Sequence, residues 1–323
     1  MARLPNSRAF TAALLLASLG ALSPAPVDAD TVTLIAPSDS GIYSEFRQSF
    51  QRSLTALCGS RQHLEICQTD KPVTFATPGD AAHSSATRNG ELVVPLGTRA
   101  AEFVASQPDL GPTLFALIPA DTFQYLRDCC IGQEERLASA VFVDQPIEQQ
   151  LKLARALLPK ARRLGVLLGP TSLQRAAEIR ESAERFGFDI RMETVADEQA
   201  IGIALRRIAV EVDALLAVPD PLVFNRATIA NILLASYRHE LPVIGYSEGL
   251  VRAGATAAVF ADIGQLAETV ARKTLAYYES RVLEPSCFAL DFSVSLNREV
   301  LRSLGLQAPS EPALKETLAE EQR

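Results

Sequence analysis

The stretch at residues 241–248, LPVIGYSE, changes abruptly from apolar to polar. Leu241–Gly245 has the composition of a short buried strand, and Tyr246, Ser247 and Glu248 follow it directly. In open parallel sheets, ligands bind beyond the carboxyl ends of the strands, where loops lead into helix N-termini with free N–H groups. The hydroxyls and the carboxylate at this strand end therefore indicate a binding site for a small polar molecule.

Five other predicted strands end in the same kinds of residue. The candidate ligand-binding residues at these ends are Ser38, Ser40 and Tyr43, then Gly97 and Thr98, Asp121, Gly169, and finally Asp220 and Asn225. Together the six ends suit a ligand that carries both an anionic and a cationic group. Taken singly, most of these side chains are better explained as helix N-caps or turn residues. Glu248 lies in the first turn of a predicted helix, where the helix dipole favours a carboxylate in any case.

No catalytic or metal-binding motif accompanies these residues. The sequence contains no nucleophile elbow, no phosphate loop ending in GK[ST], no HExxH and no paired CxxC. His83 and His239 have no evident partner. We therefore expect no cofactor and no metal. A secreted enzyme that uses Asp220 or Glu248 as a general acid or base is the alternative from another class, and it would need a group that tunes the carboxylate.

Short apolar runs alternate with helical periodicity along most of the chain, which is typical of parallel sheets covered by helices. One set of such units begins at Thr31 and a second near Gln145, so we predict two α/β lobes. Within the first set, the polar stretch 69–90 is predicted as loop or poorly formed helix. Within the second, Thr171 and Gln174 predict a capping box for a helix that runs to Phe186.

The predicted organisation has five parts. Residues 1–29 form a signal peptide, 30–143 an N-terminal lobe, 144–285 a C-terminal lobe, 286–306 a return segment that packs on the N-terminal lobe, and 307–323 a flexible tail. Arg3 and Arg8 precede a 13-residue apolar run, too short to span a bilayer, and small residues precede a cleavage site after Ala29. We therefore expect an exported, periplasmic protein that is not inserted in the membrane.

The net charge bears on the possible partners of the protein, and the cysteine content bears on its disulfide bonds. The formal net charge of −7 and the lack of a basic run argue against nucleic acid as a partner. In an oxidising compartment, Cys58 and Cys67 are close enough in sequence to form a disulfide, and two buried thiols are the alternative. Cys129 and Cys130 are adjacent, which fits no familiar zinc spacing, and one of them could pair with Cys287.

Three stretches of the chain resemble the periplasmic substrate-binding proteins of ABC transporters, in the group that includes tryptophan-binding members. They are QPIEQQLKLARALLPKARRLGVLLGP at 145–170, VDALLAVPDPLVFNRATIANILLASYRHELPVIGYSEGLVRAGATAAV at 212–259, and FSVSLNREVLRSLGL at 292–306. The resemblance spans about Gly97 to Leu306. It implies an α/β fold of two doubly wound parallel-sheet lobes joined by a multi-strand hinge, the type I periplasmic binding protein arrangement, which closes over a small ligand without catalysis.

The resemblance also assigns roles by position. It implies second-lobe ligand contacts from Asp220, Asn225, Ser247 and Glu248, and opposing contacts from the first-strand loop and the Gly97–Thr98 turn. In members that bind amino acids, an acidic residue at such a turn would hold the ammonium group, and helix-start N–H groups would hold the carboxylate. Because the chain has no tryptophan, the stacking candidates are Tyr43, Phe123 and Tyr246.

The resemblance thus implies the solute-binding component of an ABC transporter, which binds a small polar ligand, such as an amino acid, and delivers it to a permease. A periplasmic sensory subunit of the same fold, which presents its ligand-bound shape to a membrane receptor, is an alternative that the sequence leaves open. A monomer is the expected state of such receptors.

Overall fold

The computed structural model describes residues 30–81, 91–107, 111–131 and 138–320, which form two α/β lobes around two six-stranded sheets. The strands of the first sheet are β1 (Val32–Ile35), β2 (Val73–Ala76), β3 (Leu92–Pro95), β4 (Thr113–Ile118), β5 (Ala138–Phe142) and β11 (Cys287–Phe288). Those of the second are β6 (Arg163–Leu168), β7 (Asp189–Thr194), β8 (Ala214–Leu216), β9 (Val243–Gly245), β10 (Ala257–Phe260) and β12 (Ser293–Leu296). The predicted signal peptide, 1–29, lies outside the described residues.

Both sheets have the strand order of a doubly wound fold. The orders are β11-β5-β4-β3-β1-β2 and β12-β10-β9-β8-β6-β7. Every pairing is parallel except that of β12, which runs antiparallel to β10 at the edge of the second sheet. The two-lobed α/β fold predicted from the sequence is confirmed.

Helices cover both faces of each sheet. They are α1 (Ile42–Cys58), α2 (Pro78–Ala81), α3 (Thr98–Ala105), α4 (Ala120–Leu126), α5 (Ile147–Leu157), α6 (Ala176–Arg185), α7 (Glu198–Ile208), α8 (Ile229–Arg238), α9 (Glu248–Ala253), α10 (Ile263–Ser280), α11 (Arg298–Ser303) and α12 (Glu311–Glu320). None of these described helices combines the length and the apolar composition needed to cross a membrane.

Helix α10 belongs to the first lobe, although it falls in the range predicted for the second. Its Leu266 and Val270 are buried in one core with Phe46 and Phe50 of α1. At its far end, the hydroxyl of Tyr278 donates to the carbonyl of Thr31 beside β1. The spacing of Leu266 and Val270 places both on one face of the helix, and the partner of that face lies more than 200 residues earlier in the chain.

The chain crosses between the lobes three times. The first crossing follows β5, the second separates β10 from α10, and the third separates β11 from β12. Of the segment 286–306, which was predicted to pack on the N-terminal lobe, Cys287–Phe288 pair with β5 of the first sheet. Ser293–Leu296 extend the second sheet instead, so the prediction is wrong for them. Three crossings make the multi-strand hinge expected from the family resemblance.

Two predicted irregular segments contain regular structure. The polar stretch 69–90 includes β2 and α2, and the residues from 82 to 90 lie outside the described part. The predicted tail contains α12, whose Leu314 and Leu318 are only 1% exposed in the second-lobe core. Lys315 of the same helix pairs with Asp291 in the third crossing at 2.8 Å. The prediction of a flexible tail from residue 307 is therefore wrong for Glu311–Glu320.

The cysteines form two disulfides. Cys58 and Cys67 are bonded across the end of α1, and Cys129 is bonded to its neighbour Cys130 just beyond α4. Cys287 is a half-buried free thiol, so it pairs with neither of the adjacent cysteines.

Candidate ligand-binding cleft

A cavity of about 240 Å³ lies between the lobes, at the carboxyl ends of the strands. Its walls come from the β4–α4 turn of the first lobe, from the first crossing, and from three strand ends of the second lobe. The lining residues are Pro119, Asp121, Thr122, Asp144, Thr171, Arg175, Pro219, Asp220, Pro221, Phe224 and Tyr246. Of the predicted site residues, this set brings together Asp121, Asp220 and Tyr246.

Asp220 lines the cavity, but the protein itself uses both of its carboxylate oxygens. The residue is 3% exposed. Its Oδ2 accepts from the backbone N–H and the hydroxyl of Ser172, at 2.8 and 2.9 Å. Its Oδ1 accepts from the N–H groups of Leu222 and Val223, at 2.9 and 3.3 Å. Four donors from two loops therefore converge on this side chain, which joins the ends of β6 and β8.

Gly169, another predicted site residue, serves the same junction. It is buried directly after β6, and a Cβ at this position would overlap the carboxylate of Asp220. Its N–H donates to the hydroxyl of Ser172 at 3.1 Å. Glycine is therefore needed so that the Asp220 carboxylate can approach the backbone.

An aromatic pair forms one side of the cavity. The rings of Phe224 and Tyr246 meet edge to face, with centroids 6.0 Å apart. Burial, and the nearby charge of Asp220, raise the pKa of the Tyr246 hydroxyl to about 12. The hydroxyl therefore stays protonated at physiological pH and can donate a hydrogen bond into the cavity.

The first-lobe wall carries two carboxylates that burial makes harder to ionise. Asp121 lies in the first turn of α4, and Asp144 follows β5 in the first crossing. Burial raises the pKa of both carboxyls above the ordinary value. Asp144 accepts from the N–H of Ala120 at 3.1 Å, and this hydrogen bond offsets part of the shift.

Arg175 supplies a positive charge on the opposite wall. It lies at the end of a short 3₁₀ turn, Ser172–Arg175, which precedes α6. Its side chain is 11% exposed and forms a two-point pair with Glu178, with both N–O distances at 3.1 Å. The sequence predicted a regular helix with a capping box here, but Thr171 makes no side-chain cap bond and Asp220 binds Ser172 instead.

Three predicted second-lobe residues do not line the cavity. Asn225 donates to Glu198 at 2.8 Å and accepts from the N–H groups of Ala227 and Thr228, so it organises the turn before α8. Ser247 caps α9 by accepting from the N–H of Leu250. Glu248 is 50% exposed and pairs with Arg252, one turn along the same helix. Their roles as ligand contacts stay predictions.

The first-strand residues also lie outside the cavity lining. Ser38 and Ser40 are exposed and hydrogen-bond to each other at 3.0 Å. Tyr43 lies against Gly97, where φ is +79°, and a Cβ there would come within 2.9 Å of the tyrosine hydroxyl.

The remaining first-lobe candidates, Thr98 and Phe123, differ from each other in exposure. Thr98 is exposed at the start of α3. Phe123, predicted as a stacking candidate, is instead buried in the first-lobe core against Phe115 and Phe142, so that prediction is wrong. Within the described ranges, no group of three or more histidine, cysteine or acidic residues is arranged to hold a metal ion.

Sequence reasoning missed three residues of the cavity that matter most for its chemistry: Asp144, Arg175 and Phe224. Asp144 lies in the predicted lobe junction and Phe224 in the PDPLVFN stretch, so both were near recognised features. One feature of the sequence could have indicated Arg175: a cation near the N-terminus of a helix is unfavourable with the helix dipole, so its presence there suggests a role other than helix stabilisation.

Comparison with known proteins identifies the family. Residues 80–317 match the family described as ABC transporter substrate binding protein. A tyrosine-binding protein of Clostridioides difficile (strain R20291) is 20% identical over 174 residues, which are 52% of this chain and 50% of that protein. The chain thus spans about half the length of this curated relative.

Solved structures agree on the fold. A ligand-free, open substrate-binding protein with adhesive properties from Clostridium difficile matches with a TM-score of 0.67 and 15% identity, covering 87% of this chain and 96% of that one. An ABC domain in complex with L-Trp from Streptococcus pneumonia matches with a TM-score of 0.60 and 18% identity, covering 88% and 98%. The family predicted from the sequence is confirmed: the chain belongs to the ABC transporter substrate-binding proteins.

Proposed function

We propose that this protein is the periplasmic solute-binding component of an ABC transporter and that it binds a small polar ligand, such as an amino acid, in the interlobe cleft. One observation carries the proposal: both lobes and the first crossing contribute lining residues to a single cavity, with charges of both signs. A ligand held there contacts both lobes, so it stabilises the closed arrangement of the hinge.

The relatives support the class of ligand and the place of action. One relative is named for tyrosine binding, and one solved structure contains L-Trp. The predicted signal peptide supports export, and the family supports an ABC permease as the partner. The homologues are binding proteins, and no step of catalysis enters the proposal.

Thermal unfolding of residues 30–323 tests the proposal against a panel of amino acids, nucleosides, sugars and vitamins. A ligand that binds only the folded state contributes about 2.7 kcal/mol at 100 times its Kd, so the melting temperature rises visibly. A rise with one chemical class, without turnover of the compound, supports a binding protein. No rise with any compound contradicts the proposal.

A cavity-filling variant locates the site. Thr122 lines the cavity, and Thr122→Trp places a large side chain in it, whereas Thr122→Ser keeps it open. We expect the tryptophan variant to fold and to lose the ligand response, and the serine variant to keep it. An undiminished response in Thr122→Trp would show that the ligand binds elsewhere.

A further inference from the structure

Arg175 is the one basic side chain that lines the cleft within the part of the chain that the structure describes. Its bond pattern fixes how it faces the cavity. A guanidinium has five N–H donors in a planar fork. Nε and Nη2 donate to the two oxygens of Glu178, each at 3.1 Å. Glu178 therefore holds the plane of the group in one orientation.

The third nitrogen of the guanidinium remains available. Among the described residues, Nη1 of Arg175 donates no hydrogen bond, and no ion pair joins Arg175 to Asp121 or Asp144. The two aspartates nevertheless lie within electrostatic reach: burial lowers the pKa of the Arg175 guanidinium, but the negative charges of Glu178, Asp121 and Asp144 outweigh it and raise that pKa. The cavity thus separates one available cationic edge on the second lobe from two carboxylates on the other wall.

This separation discriminates between ligands by charge. A neutral ligand would cover Nη1 and both aspartates with at most uncharged hydrogen-bonding partners, and buried charges without an ionic counterpart oppose binding. An amine alone would leave Nη1 unpaired, and an acid alone would add a further anion beside the two aspartates. A ligand with an anionic group and an ammonium group satisfies both walls.

We propose that Arg175 is a specificity-determining residue of the cleft, which binds the anionic group of a zwitterionic ligand through Nη1 while Asp121 and Asp144 bind its ammonium group, with Glu178 positioning the guanidinium. This inference rests on the proposed function, because it assigns the charge selectivity of the same cleft. It differs from the assignment made by family resemblance, which gave the second-lobe contacts to Asp220, Asn225, Ser247 and Glu248.

Isothermal titration calorimetry with matched probes tests the inference on residues 30–323. The first probes are L-tyrosine, tyramine, which lacks the carboxylate, and 3-(4-hydroxyphenyl)propanoate, which lacks the amine. The other L-amino acids follow, with the amine and acid analogues of the tightest binder. We expect each analogue to bind about 10- to 100-fold more weakly than its amino acid, since each loses one charge-assisted contact.

Variants assign the contact to Arg175. Arg175→Met should weaken binding of the amino acid by about 10- to 100-fold and should not weaken binding of the amine analogue, which loses no contact. Arg175→Lys keeps the charge without the fork and should fall between the two. Arg180→Met is the matched control, because Arg180 is exposed on α6 outside the cavity lining. Urea unfolding of each variant establishes that it is folded.

The outcomes separate this inference from the proposed function. Equal Kd values for the amino acid in Arg175→Met and the parent, or an amine that binds as tightly as its amino acid, overturn the role of Arg175. Binding of ribose or another neutral probe, with no response to any amino acid, also overturns it and leaves the proposed function intact. No binding of any probe contradicts both.

Discussion

The two walls of the cleft both place an aspartate just beyond a strand, but they bond it differently. On the second lobe, Asp220 accepts four hydrogen bonds from Ser172, Leu222 and Val223. On the opposite wall, Asp144 accepts from Ala120, and burial raises the pKa of its carboxyl. Both residues are aspartates that follow a strand by no more than four positions. The number of donors that the fold supplies differs.

This difference separates structural carboxylates from those available to a ligand. A carboxylate whose lone pairs all face backbone or hydroxyl donors stabilises the loops that supply them. A buried carboxylate with few donors raises the free energy of the unliganded protein, and a cationic ligand removes that cost. Substitution of Asp220 should therefore lower the stability of the unliganded protein, whereas substitution of Asp144 should raise that stability and weaken binding of a cationic ligand.

The largest effect is expected from Asp220→Ala. It leaves three N–H groups and one hydroxyl without their acceptor in a buried site, so we expect a loss of about 3–5 kcal/mol in the free energy of unfolding. Urea denaturation of the unliganded protein measures this loss. Asp220→Asn keeps the shape and one oxygen acceptor, and it should lose less. A loss below about 1 kcal/mol for the alanine variant would contradict the structural role.

The hydrogen bonds of Asp220 also show why the sequence predicted the cleft but not all of the side chains that line it. The strand ends were recognisable because a run of apolar residues followed by polar ones is a local pattern. The hydrogen bond between Ser172 and Asp220 joins residues 48 positions apart, and no local pattern reports it. This contact accompanies a 3₁₀ turn where a regular helix was predicted, and the turn brings Arg175 to the cavity.

The fold shows the same limit. The spacing of apolar residues in α10 is that of a helix with one buried face, but its assignment to a lobe depends on α1, which packs against it. Strand β2 was missed because it has four residues, lies at the sheet edge and is mostly half-exposed, so its apolar signal is weak. The predicted tail contains α12 because two leucines one turn apart reach the second-lobe core.

An intermediate effect of opposite sign is expected from Asp144→Asn. Because burial raises the pKa of this carboxyl above its ordinary value of 3.8, the folded protein binds the proton more tightly than the unfolded chain. The stabilisation that comes from this tighter proton binding is fully present below pH 3.8. It is lost as the pH rises through the raised pKa of the carboxyl in the folded protein. The asparagine variant should therefore melt roughly 1–3 °C higher than the parent at pH 7.

A pH series checks the sign of this effect. The gain of Asp144→Asn in melting temperature should shrink as the pH falls and disappear below the ordinary pKa, where the carboxyl is protonated in both states. Arg175 and Asp121 are the nearby charges that act on the group, so Asp121→Asn serves as the companion variant. A variant less stable than the parent at pH 7 would show that Asp144 is a structural carboxylate like Asp220.

The smallest effect is expected from Glu248→Ala, at the strand end that first indicated a site. Glu248 is 50% exposed, and its partner Arg252 lies at i+4 on the same helix, an arrangement worth about 0.3–0.5 kcal/mol. We expect a change of that size in the free energy of unfolding and an unchanged ligand response. Arg252→Ala should match it, because both variants remove the same exposed pair. If Glu248→Ala alone abolished the ligand response, Glu248 would reach the ligand in the bound state, and the β9 end of the second-lobe wall would contribute to recognition alongside Arg175.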